Sequence, residues 1–152
     1  MSTITPPTAD LYLVVGYDGS PPASRALDAA VSLLHGRTGR IEVIYVAHIP
    51  AVDTLSADAM AEMKVSFDEL ARDLHTQASE QLRGREERWA FQRRDGIVAD
   101  ELIAAAVQGR DARPGDYVAI VVGSSTHAMH RMIGSAAISL ARRSPVALVI
   151  VP

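Results

Sequence analysis

Short apolar runs closed by turn residues alternate along this chain with longer stretches in which apolar residues recur every three or four positions. Leu11–Val15 is the first such run, and Gly16-Tyr17-Asp18-Gly19-Ser20 closes it. An uninterrupted run of this length predicts a strand buried on both faces. Ser20 before Pro21 and Pro22 predicts a helix start, a hydroxyl N-cap followed by proline in the first turn. Ala26, Leu27, Ala30, Val31 and Leu34 share one face of that helix, and Gly36 stops it. Ile41–Ala47 predicts the second strand, and a looser stretch from His48 to Leu55 leads to Ser56, the cap of a long helix ending near Gly84. Met60, Met63, Phe67, Leu70 and Leu74 repeat at spacings of three and four along it. We read that stripe, methionines included, as core packing.

Trp89 and Phe91 alternate with Arg88, Ala90 and Gln92, the pattern of an edge strand with one wetter face. After the Asp95-Gly96 turn, Val98, Leu102, Ile103, Ala106 and Val107 form a third helical face, and Pro114-Gly115 ends it. Tyr117–Val122 predicts a fourth strand ending at Gly123, followed by a Ser-, Thr- and His-rich loop from Ser124 to Ile133. Gly134-Ser135 opens a short helix through Arg143, and Pro145 precedes a final strand, Val146–Val151. The order β-α-β-α-β-α-β-α-β predicts one doubly wound parallel sheet with helices on both faces, because each return to the sheet crosses over a helix with a fixed hand.

In such a sheet, ligands sit beyond the carboxyl ends of the strands, where strand order reverses. The loops Gly16–Ser20 and Gly123–Ser135 both lead into a helix N-terminus, where unpaired N–H groups and the helix dipole favour an anion. Small residues there let a backbone approach phosphate oxygens. Glycine-rich turns also follow strands for purely steric reasons, so the pattern alone leaves both roles open.

Composition narrows the function classes. The chain has 152 residues, enough for one full core, with 48% hydrophobic residues but only 5% aromatic. A net charge of −3 argues against a nucleic-acid or anionic-membrane binder. With no cysteine, disulfides, thiolate metal sites and thiol catalysis are excluded. Residues 1–10 read as a flexible leader without the features of a signal peptide, and no apolar run approaches a bilayer span, so a cytoplasmic location is expected. No Walker lysine motif, nucleophile elbow or H-E-x-x-H pair is present, which points away from an enzyme.

Val14-Val-Gly-Tyr-Asp-Gly-Ser20, Val43-Ile-Tyr-Val46, Asp116-Tyr-Val-Ala-Ile-Val-Val-Gly-Ser124, Gly134-Ser135 and Ser144-Pro-Val-Ala-Leu-Val-Ile-Val151 occur in this order. Together they make residues 11–152 resemble a universal stress protein, of the adenine nucleotide alpha hydrolase-like fold. The resemblance implies a sheet order of 3-2-1-4-5 and a homodimer made through the C-terminal strand. An apolar edge strand free of charge, as Val146–Val151 is, independently invites a partner strand. The resemblance also implies an ATP site in some members, built on G-x2-G-x9-G-[ST] after the fourth strand. Gly123, Gly134 and Ser135 match that motif, with Ser124 beside the first glycine. Gly16, Tyr17 and Asp18 match the family's contacts after the first strand, and Val46 matches a position lining its adenine pocket. Asp18 is equally suited to forming the turn at Gly19.

Two departures bear on ATP. Thr126 stands where the second glycine belongs, and only His127–Ile133 separates it from Gly134, two residues fewer than the motif has. A β-branched residue does not readily adopt positive φ or let phosphate lie against the backbone. Arg131 is the residue of this loop best suited to pair with phosphate, solvent being its alternative. His127 and His130 lack a nearby carboxylate and are read as solvated rather than as metal ligands. The expectation is a non-enzymatic, dimeric stress-response module meeting an unidentified regulatory protein. Its cleft is degenerate and does not hold ATP in the usual geometry, and any slow ATP hydrolysis is incidental. The alternative is a nucleotide-responsive switch that binds ATP or another adenine nucleotide in the same cleft.

Overall fold

A computed structural model describes residues 9–48, 55–85, 88–124 and 134–152. Most of the expected leader and the loop positions Thr126, His127, His130 and Arg131 lie outside the described residues. The elements are β1 (Leu11–Gly16), α1 (Pro21–Leu34), β2 (Gly39–Ala47), α2 (Ala57–Gln81), β3 (Arg88–Asp95), α3 (Val98–Ala112), β4 (Tyr117–Gly123), α4 (Ser135–Arg143) and β5 (Ala147–Val151). The strands form a five-stranded sheet in the order β3-β2-β1-β4-β5, as expected. Every neighbouring pair is parallel.

Alternation along the strands sorts side chains into two cores. Leu13, Val15, Ile41, Val43 and Val121 face α1 and α2. Val14, Ile44, Ile120 and Val122 face α3 and α4. Because β1 pairs with β2 on one side and β4 on the other, the crossovers leave β1 in opposite directions. Its C-terminal end is therefore the reversal point of the sheet, adjacent to the end of β4.

Local chemistry fixes α1. Ser20 is its N-cap, and the Ser20 hydroxyl accepts a hydrogen bond from the Ala23 N–H at 3.3 Å. The expected buried face, Ala26, Leu27, Ala30, Val31 and Leu34, is buried, and Gly36 takes a φ of +72° just past the helix end. Ser56 caps α2 in the same way, at 3.2 Å from the Ala59 N–H.

Two expectations need correction. β3 runs past Gln92 to Asp95, farther than its apolar residues indicated, because Arg93, Arg94 and Asp95 continue the pairing with β2. The α2 stripe is core only in part: Met60 is 47% exposed and Leu70 42% exposed. The seam that meets the sheet runs through Phe67, Ala71, Leu74, Ala78 and Leu82. Alanines occupy two of its contact positions, so Leu70, one residue off the seam, faces outward. The 25 residues of α2 extend about 37 Å at the α-helical rise, while a nine-residue strand spans about 30 Å, so the helix outreaches the sheet it covers.

The two edges of the sheet differ in kind. β3 carries Arg88, Arg93, Arg94 and Asp95, charges that discourage a further strand from pairing. β5 is Ala-Leu-Val-Ile-Val and carries none.

Candidate functional site

At the reversal point, the ends of β1, β2 and β4 and the starts of α1, α3 and α4 enclose a cleft of about 200 Å³. Its floor is apolar: Ile44, Val46, Val98, Leu102 and Val122. Leu102 is fully buried and reaches under Gly16, where a Cβ would come within 3.0 Å of its Cδ1. The rim is polar backbone and small side chains: Gly16, Asp18, Ser20, Gly123 and Gly134.

Asp18 is exposed and held in place locally. Its Oδ1 accepts hydrogen bonds from the Ser20 N–H at 3.0 Å and from the Ser20 hydroxyl. The turn needs Gly19, which has a φ of +78° and whose Cβ would fall 2.5 Å from Leu74 Cδ2. Asp18 is thus a turn-former and a rim residue at once. The Tyr17 N–H donates to the Ile44 carbonyl at 2.8 Å, continuing the β1–β2 pairing past the strand end. Burial first, and then the Asp18 charge, push the Tyr17 phenol above its ordinary range, so it stays neutral at physiological pH.

The start of α4 differs from that of α1. Gly134 is its N-cap and provides no side-chain hydrogen bond, and no acidic residue stands in the first turn. Gly134, Ala136 and Ala137 line the cleft, so this uncapped N-terminus borders it. Helix N–H groups left without a side-chain acceptor suit an anionic group. Among the described lining residues the only ionised side chain is Asp18, and none is basic.

Of the residues singled out in the sequence, Gly16, Tyr17, Asp18, Val46, Gly123 and Gly134 come together at the cleft. Two do not line it. The Ser124 N–H donates to the Val151 carbonyl at 2.8 Å and so serves the β4–β5 junction. Ser135 lines a shallow groove on the outer face of α4, with Ile138, Ser139, Arg142 and Arg143. Gly123 has a reason of its own for lacking a side chain: a Cβ there would lie 2.2 Å from the Pro22 carbonyl oxygen, because α1 begins directly against the end of β4. Sequence reasoning placed Val98 and Leu102 on the buried face of α3 without assigning them to the site. Their position directly after the β3 end was the available signal, since the first turn of a helix following a strand borders the cleft.

A family model described as the universal stress protein family matches residues 13–152. A search of curated proteins found no match. Among solved structures, a universal stress protein from Lactobacillus plantarum is 19% identical, with 95% of this chain and 99% of that one covered and a TM-score of 0.76. A universal stress protein in complex with cAMP is 24% identical, with 95% and 98% covered and a TM-score of 0.59. An Arabidopsis thaliana family member with AMP bound is 11% identical, with 93% and 90% covered and a TM-score of 0.61. At these identities the structural likeness shows the fold.

Proposed function

Because the chain belongs to the universal stress protein family, we propose that it is a regulatory module, not an enzyme, whose cleft takes an adenine nucleotide of low phosphate charge. The observation that carries this reading is the cleft itself: an apolar floor sized for part of a flat heterocycle, beside the uncapped start of α4. A base would lie over Ile44, Val46 and Leu102, and Asp18 would stand near the sugar. One phosphate would meet the N–H groups of the α4 start. Two structures of this fold were determined with cAMP and with AMP, which supports the ligand class.

Extra phosphates are disfavoured on two grounds. Asp18 adds negative charge and no described lining residue offsets it. The loop with Thr126 is two residues shorter than the ATP motif and lacks its second glycine. The cleft is degenerate in that sense: ATP in the family's usual geometry is not its ligand. The alternative, an ATP-responsive switch, uses the same residues.

Thermal unfolding with AMP, cAMP and Mg-ATP separates the two. A ligand at 100 times its dissociation constant stabilises the folded state by about 2.7 kcal/mol. AMP or cAMP is expected to raise Tm, and Mg-ATP at equal concentration to raise it less. A larger shift with Mg-ATP selects the switch, and no shift with any of the three overturns nucleotide binding.

The same reading makes the protein a homodimer through β5. An apolar edge without charge is stable in water when a second strand covers it, whereas the arginine-bearing β3 edge is protected already. Sedimentation at micromolar concentration is expected to give twice the 16.3 kDa chain mass. A particle of the single-chain mass at every concentration overturns the β5 pairing. An unidentified regulatory protein remains the proposed reader of the nucleotide state. Among the described residues no helix is long and apolar enough to cross a membrane, and we place the module in the cytoplasm.

A further inference from the structure

The helix α2 outreaches the sheet at its beginning. Its buried residues are Leu74 and Ala78, and Phe67 and Ala71 pack against the same core, but no residue of α2 before Phe67 belongs to either core. The His75 ring stacks on Phe91, with centroids 5.0 Å apart, and Asp68 pairs with Arg93 near the end of β3. Going back along α2 thus leads toward the carboxyl end of the sheet. Residues 57–66, about 15 Å of helix, continue toward and beyond the strand ends.

This projecting half is patterned. At 100° per residue, Ala59, Met63 and Leu70 fall within one narrow arc, and Met60 broadens the apolar row toward the sheet side. Met60 and Leu70 are exposed, and Met63 is half-buried. Glu62, Glu69 and Asp73, at spacings of seven and four, form a second row along the outer border of the first, and all three are exposed. None of the three makes an ion pair with a described residue. The basic residues of this stretch, Lys64 and Arg72, stand elsewhere around the helix. Scattered apolar residues are ordinary on a surface, whereas a contiguous row with a polar border marks an interaction face.

We propose that this face of α2 receives an amphipathic helix of a partner protein, one whose apolar row is bordered by lysine or arginine. Anchors spaced three, four and seven residues apart are how one helix seats against another, and the partner's cations would meet Glu62, Glu69 and Asp73. Methionine, unbranched and polarizable, adapts to the shape of what covers it. Charge selects this occupant over two others. An antiparallel two-fold pairing of α2 with its own copy would set the acidic row against itself. An anionic lipid surface would be repelled by the same row. No described lining residue of the nucleotide cleft belongs to α2, and the proposal does not depend on nucleotide binding.

The test uses the nucleotide-free full chain and a fluorescent model peptide of about 18 residues, five helical turns, with leucine on one face and lysine on the other. Anisotropy is expected to report binding that weakens as salt is added, with amide NMR shifts between Met60 and Asp73. The same peptide with glutamate for lysine, or with its order scrambled, is expected not to bind. Leu70→Asp, a change at an exposed position, is expected to keep the wild-type Tm and weaken binding about tenfold. Combining Glu62→Lys with Glu69→Lys is expected to lose the lysine peptide and gain the glutamate peptide, an exchange that a purely structural role would not produce. Equal binding of the lysine peptide by wild type and that double variant, equal binding of the scrambled peptide, or shifts confined to other surfaces overturns the site. Self-association of the chain that Leu70→Asp abolishes gives the face to a second copy and overturns the occupant. Shifts at these residues with anionic vesicles but not with the peptide do the same.

Discussion

Gly123→Ala is expected to destabilise the protein by about 3 kcal/mol, lowering Tm by roughly 10 °C. The position ends β4 at the cleft rim, and matching it to a phosphate-binding motif predicts a loss of ligand affinity with the fold intact. The packing predicts something else. A methyl group would sit 2.2 Å from the Pro22 carbonyl oxygen and 2.4 Å from its carbon, both backbone atoms that no rotamer change can move aside. Relief requires α1 to shift from β4, which breaks the seating of Ala23, Ala26 and Leu27 in the core. Urea denaturation without ligand checks the effect. Gly36→Asn is the control: Gly36 has a φ of +72° but open space around its Cβ position, and asparagine tolerates that region, so a cost below about 1 kcal/mol is expected. A Gly123→Ala variant as stable as wild type would show that the α1–β4 contact yields easily and that glycine is there for the ligand.

The second large effect is expected at Gly109, inside α3. Helix propensity alone says that Gly109→Ala gains about 1 kcal/mol. The fold says it loses about 3 kcal/mol, because the new Cβ would overlap the Tyr12 ring, 1.8 Å from Cε1 and 2.5 Å from Cδ1. The ring has little freedom to retreat. Tyr12 is 6% exposed, and the Arg40 guanidinium lies over it, 4.0 Å from the ring centroid. Arg40 is itself placed 3.6 Å from Asp116 at the start of β4. Repeating Gly109→Ala in a Tyr12→Leu background tests the cause: the penalty is expected to vanish, since a smaller side chain frees the space and the propensity gain remains. An unchanged penalty in that background would place the cost elsewhere in α3.

These two glycines show which parts of the molecule sequence reading reaches. The strands β1, β2 and β4 were legible because both faces of each are covered, leaving apolar runs such as Val118–Val122, with Glu42 the one interruption in Ile41–Ala47 of β2. α1 was legible because its signals are local: Ser20, Pro21 and the spacing of Ala26, Leu27, Ala30 and Val31. The contact between Gly109 and Tyr12 leaves no such mark, since it depends on how α3 lies across β1, nearly a hundred residues earlier in the chain. The α2 seam was misread for a related reason. Hydrophobic spacing favours large residues, so Leu70 and Met60 drew attention that belonged to Ala71 and Ala78, whose small size lets the helix approach the sheet. At the cleft, Gly16, Gly123, Gly134 and Asp18 were singled out because they stand where strands end or helices begin. The floor residues Ile44 and Leu102 were seen only as generic core, because nothing in a leucine's neighbours along the chain says which cavity it will border. Ser135 was selected as the closing position of the motif and Ser124 for standing beside its first glycine, yet the Ser124 amide closes the β4–β5 junction and Ser135 lines the outer face of α4.

The cleft is bounded by unlike walls. One is a fixed jaw: α1 is pinned at its first turn by the Ser20 hydroxyl and pressed so closely on β4 that even a methyl group finds no room between them. The other is the beginning of α4, which no side chain among the described residues anchors. A guest entering between them would do its work asymmetrically, supplying to α4 the acceptor that α1 already owns. Occupancy would then be felt most by α4 and by β5 beside it, the strand proposed to pair with a second molecule.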